Sequence, residues 1–355
     1  MKKFLLSTGI MIIIVVLYIG IKMFSQNDFS TEETFYYIVY SDMLKKSGEL
    51  IGIDIDGNIT SKKSLKIQDV SKYDLVDSTF IAGGNRANNH LLIDRQGNIK
   101  EFNLLDNPNY SGVTTITING ENIVAVMNGN IANNTYQNLL VIQDKEGNVL
   151  EKRIFDIFAS DILCKNNTAY IVGSYLNLEK DKWSSKIIQY TLSNSKIKEN
   201  IVNLDREYKE VVLHNDNLYC SVGDMNGYVK EIDILDMYSL EKIETFSFDK
   251  NISGIFSYND FLYGIFDNVI CKIESDNTII ELCTLPQDTY VNGYLINGNH
   301  AYFFSRNNIL ENKNGYVDMG FLVDYNIIDN QMQITPLSIK NKSRDSIIFF
   351  PVMMR

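Results

Sequence analysis

Apolar positions follow two patterns along this chain. Phe4 to Ile21 is a run of 18 residues without a charge, with Lys2 and Lys3 before it and Lys22 after it. Beyond residue 34 nothing like it returns. Short apolar runs recur instead, separated by Asn, Asp and Gly, and long apolar patterns at helical spacing are almost absent. The first pattern predicts one N-terminal helix and the second an all-β body.

The body repeats. A strand, a tight Asn/Asp/Gly turn and a second strand read Ile53-Asp54-Ile55-Asp56-Gly57-Asn58-Ile59. The same phrase returns as Leu92-Ile93-Asp94-Arg95-Gln96-Gly97-Asn98-Ile99 and as Val141 to Val149. Weaker copies stand at Ser193-Asn194, Asp236-Met237, Asp276-Asn277 and Asp329-Asn330, so the period from Gly57 to Asn330 is about 45 residues. A second turn type falls between these, at Asn119-Gly120, Asn166-Asn167, Asn215-Asp216, Asn259-Asp260 and Asn297-Gly298. Asn and Gly tolerate the positive φ that tight hairpins demand. Two alternating hairpins give four antiparallel strands per repeat, A to D, and seven repeats.

On these residues the body, about 35 to 352, resembles a β-propeller of the degenerate pyrroloquinoline-quinone-type and YVTN-type repeats; Ile93 to Ile99 is similar to their hairpin. The chain departs from those families in having one Trp, Trp183, and no Trp-Asp repeat. Quinone binding is therefore not carried over, and no cofactor is expected. A pair of β-sandwiches is the runner-up, but it needs a linker that four Pro in the whole chain do not supply. A β-helix has shorter rungs than this period. The expected fold is a seven-bladed propeller of four-stranded antiparallel blades, preceded by one transmembrane helix. In blade 1, Phe35 to Tyr40 reads as strand B and Glu49 to Asp54 as C, which leaves strand A missing. The apolar run Ile347 to Val352 is its expected source, closing the ring and removing exposed edges.

At 1.5 Å per residue the N-terminal run spans about 27 Å, close to a bilayer core of about 30 Å. Residues 1–22 are read as an anchor, 23–34 as a linker and 35–355 as the body. A cleaved signal peptide is the alternative. Its apolar region would be about 7–15 residues before small residues at the cleavage site, and Met23-Phe24-Ser25-Gln26 offers no such site. Lys2 and Lys3 favour a cytoplasmic start, so the expected location is the cell membrane, single-pass, with the body outside the cytoplasm.

Charge narrows the partners. The chain carries −11 at pH 7. Residues 1–22 hold three Lys and no acid, leaving 30 basic against 44 acidic residues, a net −14 for the rest. Phosphate would be repelled, so no nucleic-acid partner is expected.

Candidate chemistry is sparse. His90, His214 and His300 lie in different repeats and read as turn or surface residues. Asp54 to Asn58 mimics the start of a calcium loop but lacks the later bidentate Glu. The four Cys show no zinc spacing; Cys271 and Cys283 flank one turn, and the loop length decides whether they face each other. No catalytic, metal or cofactor residue is assigned. The expected function is a binding or scaffold module for a protein or glycan partner. The alternative is a propeller enzyme of lactonase, lyase or hydrolase type, with acids and a His or metal converging at one mouth. Long B–C segments at Asn128 to Asn138, Ser174 to Ser185 and Ser305 to Asp318, against short ones at Gly223 to Gly227 and Phe266 to Asn268, point to the B–C face as the binding face. Arg86, Tyr136, Tyr175, Trp183, Arg306 and Tyr316 are the candidate contacts, since Trp, Tyr and Arg dominate binding hot spots.

Overall fold

Tyr36-Tyr37-Ile38-Val39-Tyr40 shows why strands here read as continuous apolar runs rather than alternating ones. The strand Tyr36–Asp42 buries both faces. Tyr37 and Val39 pack with Phe80, Leu91 and Ile93 of the next repeat, while Tyr36, Ile38 and Tyr40 pack with Phe304, Leu322 and Leu337 of the last one. A sheet covered on both faces needs no polar side.

In the computed structural model the described residues are 33–351, apart from 106–108, 130, 133–134, 179–181, 193–195, 205, 225–226, 314 and 341–344. The expected anchor at 1–22 lies outside them. Among the described residues no helix is long and apolar enough to cross a membrane.

Seven antiparallel sheets follow one another. Seven hydrophobic clusters hold them, one at each boundary between successive blades, the boundary of blade 7 with blade 1 included. The molecule is a closed seven-bladed β-propeller. The aromatic residues are largely the mortar of these boundaries, among them Phe80, Tyr190, Tyr208, Phe303 and Tyr325, all fully buried.

The C-terminus closes the ring as expected from the missing strand. Asp345–Pro351 pairs with Tyr36–Asp42 and is the innermost strand of blade 1, with Tyr36 opposite Pro351 and Asp42 opposite Asp345. The expected strand end at Val352 lies outside the described residues. The innermost strands of blades 2 to 7 are Val70–Val76, Val113–Asn119, Phe158–Lys165, Glu207–His214, Ile252–Tyr258 and Thr289–Asn297.

The repeated turn is now explained. Asp54 Oδ1 accepts the amides of Asp56 and Asn58 at 3.0 and 2.7 Å, and its Oδ2 accepts Asn58 Nδ2 at 3.0 Å. Asp94 with Asn98 and Asp144 with Asn148 repeat this geometry. Gly57, Gly97 and Gly147 supply positive φ of 86°, 80° and 106°. The Asp carboxylate is consumed by its own turn, which is why the motif resembles a calcium loop.

One blade departs from four strands. A two-residue hairpin, Ile131–Ala132 with Thr135–Tyr136, projects from the B–C segment of blade 3 and pairs through Thr135 with Asn177 of blade 4.

Candidate functional site

The B–C face is built differently from the expectation of long irregular loops. At 174–185 the strands Thr168–Asn177 and Lys182–Thr191 continue the ladder almost to the tip. At 305–318 the strands His300–Lys313 and Tyr316–Asn326 do the same. Extra length on this face is therefore ladder: blades 4 and 7 raise hairpin arms, and blade 3 adds its own short hairpin against blade 4. The segments at 223–229 and 266–269 are short, as read from the sequence.

All six candidate residues lie on B–C segments, but not as one patch. Arg86 of blade 2 is tied to Asp69 at 3.1 Å. Tyr136 packs edge-on against Phe158, with centroids 5.1 Å apart, and its hydroxyl bonds Asn128. The Tyr175 ring carries Lys186 Nζ at 5.2 Å. Trp183 is half-buried, opposite Leu176 in the ladder. Arg306 and Tyr316 stand apart on the blade 7 arm. Arg86 and Tyr136 are thus committed to intramolecular contacts, while Tyr316 is 48% exposed.

Two residues on that arm were not singled out from sequence. Between Arg306 and Glu311 the ladder breaks, and four residues bulge where the opposing strand skips one. The bulge throws out Ile309, 79% exposed, and Leu310, 42% exposed. The available signal was an apolar pair enclosed by Asn307-Asn308 and Glu311-Asn312-Lys313.

The second candidate is the central channel, a cavity of about 620 Å³ lined by innermost strands of blades 2 to 7. Each of these six strands carries a β-bulge at the same level: the unpaired residues are Ser71, Thr114, Ser160, Lys209, Ser253 and Asn292. Just after the bulge Asp161 and Glu210 enter the lumen from adjacent blades, and Asp74 enters one turn of the pleat later. Each carboxylate sews its blade to the next. Asp161 Oδ2 accepts Val211 N at 2.9 Å, Glu210 Oε2 accepts Ile255 N at 3.3 Å, and Asp74 Oδ2 accepts the Thr117 hydroxyl.

Two tyrosines reach further. The Tyr294 ring crosses blade 6 over Gly254, where an added Cβ would lie 2.4 Å from Cε1. Its hydroxyl meets Ile255 O at 2.7 Å and Glu210 Oε1 at 3.2 Å. Tyr73 of blade 2 reaches Gly293 of blade 7, where a Cβ would meet its hydroxyl at 2.0 Å.

Burial dominates the electrostatics here. Each carboxylate is half-buried, facing the lumen with protein packed around it. Desolvation, then the nearby Asp161 charge, pushes Glu210 up to about 8. Asp161 rises to about 7, chiefly by desolvation and against the bonds from Val211 and Ile162. Asp74 is raised by the same cause. Lys72 opposes the rise of Asp161 and Glu210.

The histidines do not join them. His90 is buried in blade 2, accepts Gly84 N at 3.2 Å and is pushed down to about 3 by desolvation. His300 pairs with Asp324 at 2.6 Å. His214 comes nearest, bonding channel-lining Ser257 at 3.0 Å. Among the described residues no group of three His, Cys, Asp or Glu is placed to hold a metal ion. The four Cys are free; Cys271 faces Glu281 and Cys283 faces Ile270, because a bulge offsets the pair.

No protein-family model matches the chain, and no curated protein matches it either. Solved structures do share its fold. Virginiamycin B lyase from Staphylococcus aureus aligns with a TM-score of 0.54 and 16% identity, covering 87% of this chain and 90% of that one. The WD40 domain of Neurospora crassa Pan2 aligns at 0.52 and 10% identity, over 79% and 88%. Apo AztD from Citrobacter koseri aligns at 0.50 and 11% identity, over 90% and 98%. At such identities the likeness is one of fold.

Proposed function

We propose that this protein is a non-catalytic binding propeller, anchored in the cell membrane by residues 1–22 with its body outside the cytoplasm, and that the B–C face grips a protein partner. The observation that carries the reading is the blade 7 arm, where a bulge presents Ile309 and Leu310 and the tip exposes Tyr316. A bulge on a strand ladder holding two aliphatic side chains in water suits a protein surface better than a glycan. Strand Tyr36–Asp42 starts on the turn face, opposite the B–C face.

Two measurements test this. Protease added to intact cells digests the body; protection until lysis refutes the topology. Photo-crosslinkers at 309 and 316, but not at 121 and 298 in the turns of the opposite face, give one adduct in intact cells. The adduct from position 316 disappears on I309S/L310S without a change in Tm. Equal labelling from both faces refutes the choice of face.

A second reading has its own support. Asp161 and Glu210, both pushed towards neutrality in one cavity, are suited to proton transfer, and one protein of this fold is a lyase by name. Both carboxylates are engaged by neighbouring backbone, and no His joins them, so the binding reading stands first.

A further inference from the structure

Tyr294 has one hydroxyl hydrogen and two oxygens beside it. Ile255 O is at 2.7 Å and Glu210 Oε1 at 3.2 Å. The carbonyl can only accept, and it holds the shorter contact, so the hydrogen points to it. The phenol then turns lone pairs towards Glu210 Oε1, a contact that is attractive only if that oxygen carries a hydrogen. The other oxygen, Oε2, accepts Ile255 N. One donor and one acceptor is the hydrogen-bonding pattern of a neutral carboxylic acid. Asp161, next door, differs: Oδ1 accepts Ile162 N and Oδ2 accepts Val211 N, both at 2.9 Å, as a carboxylate would.

We propose that Glu210 keeps a proton on Oε1 at neutral pH and donates it to Tyr294 Oη, so that the bond spanning blade 5 to blade 7 across Gly254 is a proton-dependent latch in the channel. The charged and titratable groups around Glu210 are consistent with it. Asp161 of blade 4 disfavours a second negative charge, and Tyr73 and Asp74 of blade 2 bring no compensating cation. Lys72 of blade 2 favours ionisation, and Lys209 on its own strand is engaged by Glu207. Blade 6 gives it the Ile255 amide. When the proton leaves for solvent, a carboxylate faces the phenol lone pairs, and the hydroxyl must abandon Ile255 O or release Glu210.

The sign of the pH effect follows. With its titration raised by burial to about 8, Glu210 holds in the folded state a proton that the unfolded chain has already lost above its ordinary range, about 4.3. Stability therefore falls as pH rises from that value through about 8.

The test is an infrared pH titration of the full-length protein, following the carbonyl stretch of protonated carboxyl groups. The wild-type-minus-E210Q difference, which removes the shared contribution of Asp161 and Asp74, shows a neutral carboxyl at pH 7 that disappears with a midpoint near 8. A wild-type-minus-E210Q difference spectrum without that band at pH 7, or with a midpoint well below 7, overturns the proposal. Y294F decides the direction of the bond. If Glu210 is the donor, removing its acceptor lowers the midpoint, by about one pH unit. A raised midpoint means that Tyr294 was donating to a carboxylate and an unchanged one that the contact favours neither protonation state; either refutes the latch. Amide exchange at Gly254 and Ile255, corrected for intrinsic rate, rises about tenfold from pH 7 to 9 in wild type and stays flat in E210Q. Equal behaviour of the two overturns the latch.

Discussion

Removal of residues 345–355 takes away the innermost strand of blade 1 and leaves Tyr36–Asp42 as a bare edge. Seven residue pairs are lost along that ladder, which in an antiparallel pair amounts to about seven backbone hydrogen bonds. At a net value of about 0.5–1.5 kcal/mol each, the loss is about 4–10 kcal/mol before any apolar surface is counted. A folded domain has about 5–15 kcal/mol in total, so the truncated ring keeps little or none of its stability. Differential scanning calorimetry reads this as a Tm lower by about 10 °C or more, at about 2–4 °C per kcal/mol for a large domain, and the exposed edge promotes aggregation. The seam between blades 7 and 1 survives through Phe304, Leu322 and Ile51, so a partly opened ring rather than a random coil is the expected product. Ile348→Pro tests the same ladder in a full-length chain, because it removes one donor opposite Val39 in mid-strand. If both variants unfold in one transition at the wild-type temperature, the C-terminal strand does not close this propeller.

Three further outcomes are expected. Gly254→Ala forces Tyr294 from its path and loses its bond to Ile255 O, costing about 2–4 kcal/mol in urea unfolding; wild-type stability would show that the ring does not cross there. Asp161→Asn flattens the pH dependence of stability, because burial raises Asp161 to about 7 and wild type therefore loses stability relative to the variant as pH climbs from about 4 through 7; parallel stability curves would show that Asp161 titrates normally. Thiol titration of the denatured, unreduced protein returns four thiols, and a count of two would mean that Cys271 and Cys283 overcome the offset that the bulge imposes.

The blade plan was legible because it is written in residues that local geometry demands. A turn with positive φ asks for Gly or Asn whatever the blade packs against, so Gly57, Gly97, Gly147, Gly120 and Gly298 mark hairpins directly. The missing strand was legible by subtraction, since a closed ring leaves no innermost strand unpaired. The arms were misread as loops for a related reason: Asn, Ser and Lys in an extra length look like a loop, yet the ladder is held by backbone pairing, and the blade 7 arm beyond Arg306 is largely wetted and needs no apolar alternation. The channel was illegible because its chemistry is assembled between blades. Asp161, Glu210 and Tyr294 stand in three separate repeats, and what unites them is a shared bulge level, marked only by an apolar-polar-x-apolar phrase such as Ala159-Ser160-Asp161-Ile162 or Tyr208-Lys209-Glu210-Val211. The most informative letters there are glycines without positive φ: Gly254 and Gly293 are small because a tyrosine of another blade occupies the space of their side chains. A glycine within a strand, at the level where other repeats carry Lys, Thr, Asp or Glu, is the trace that such a crossing leaves in a sequence.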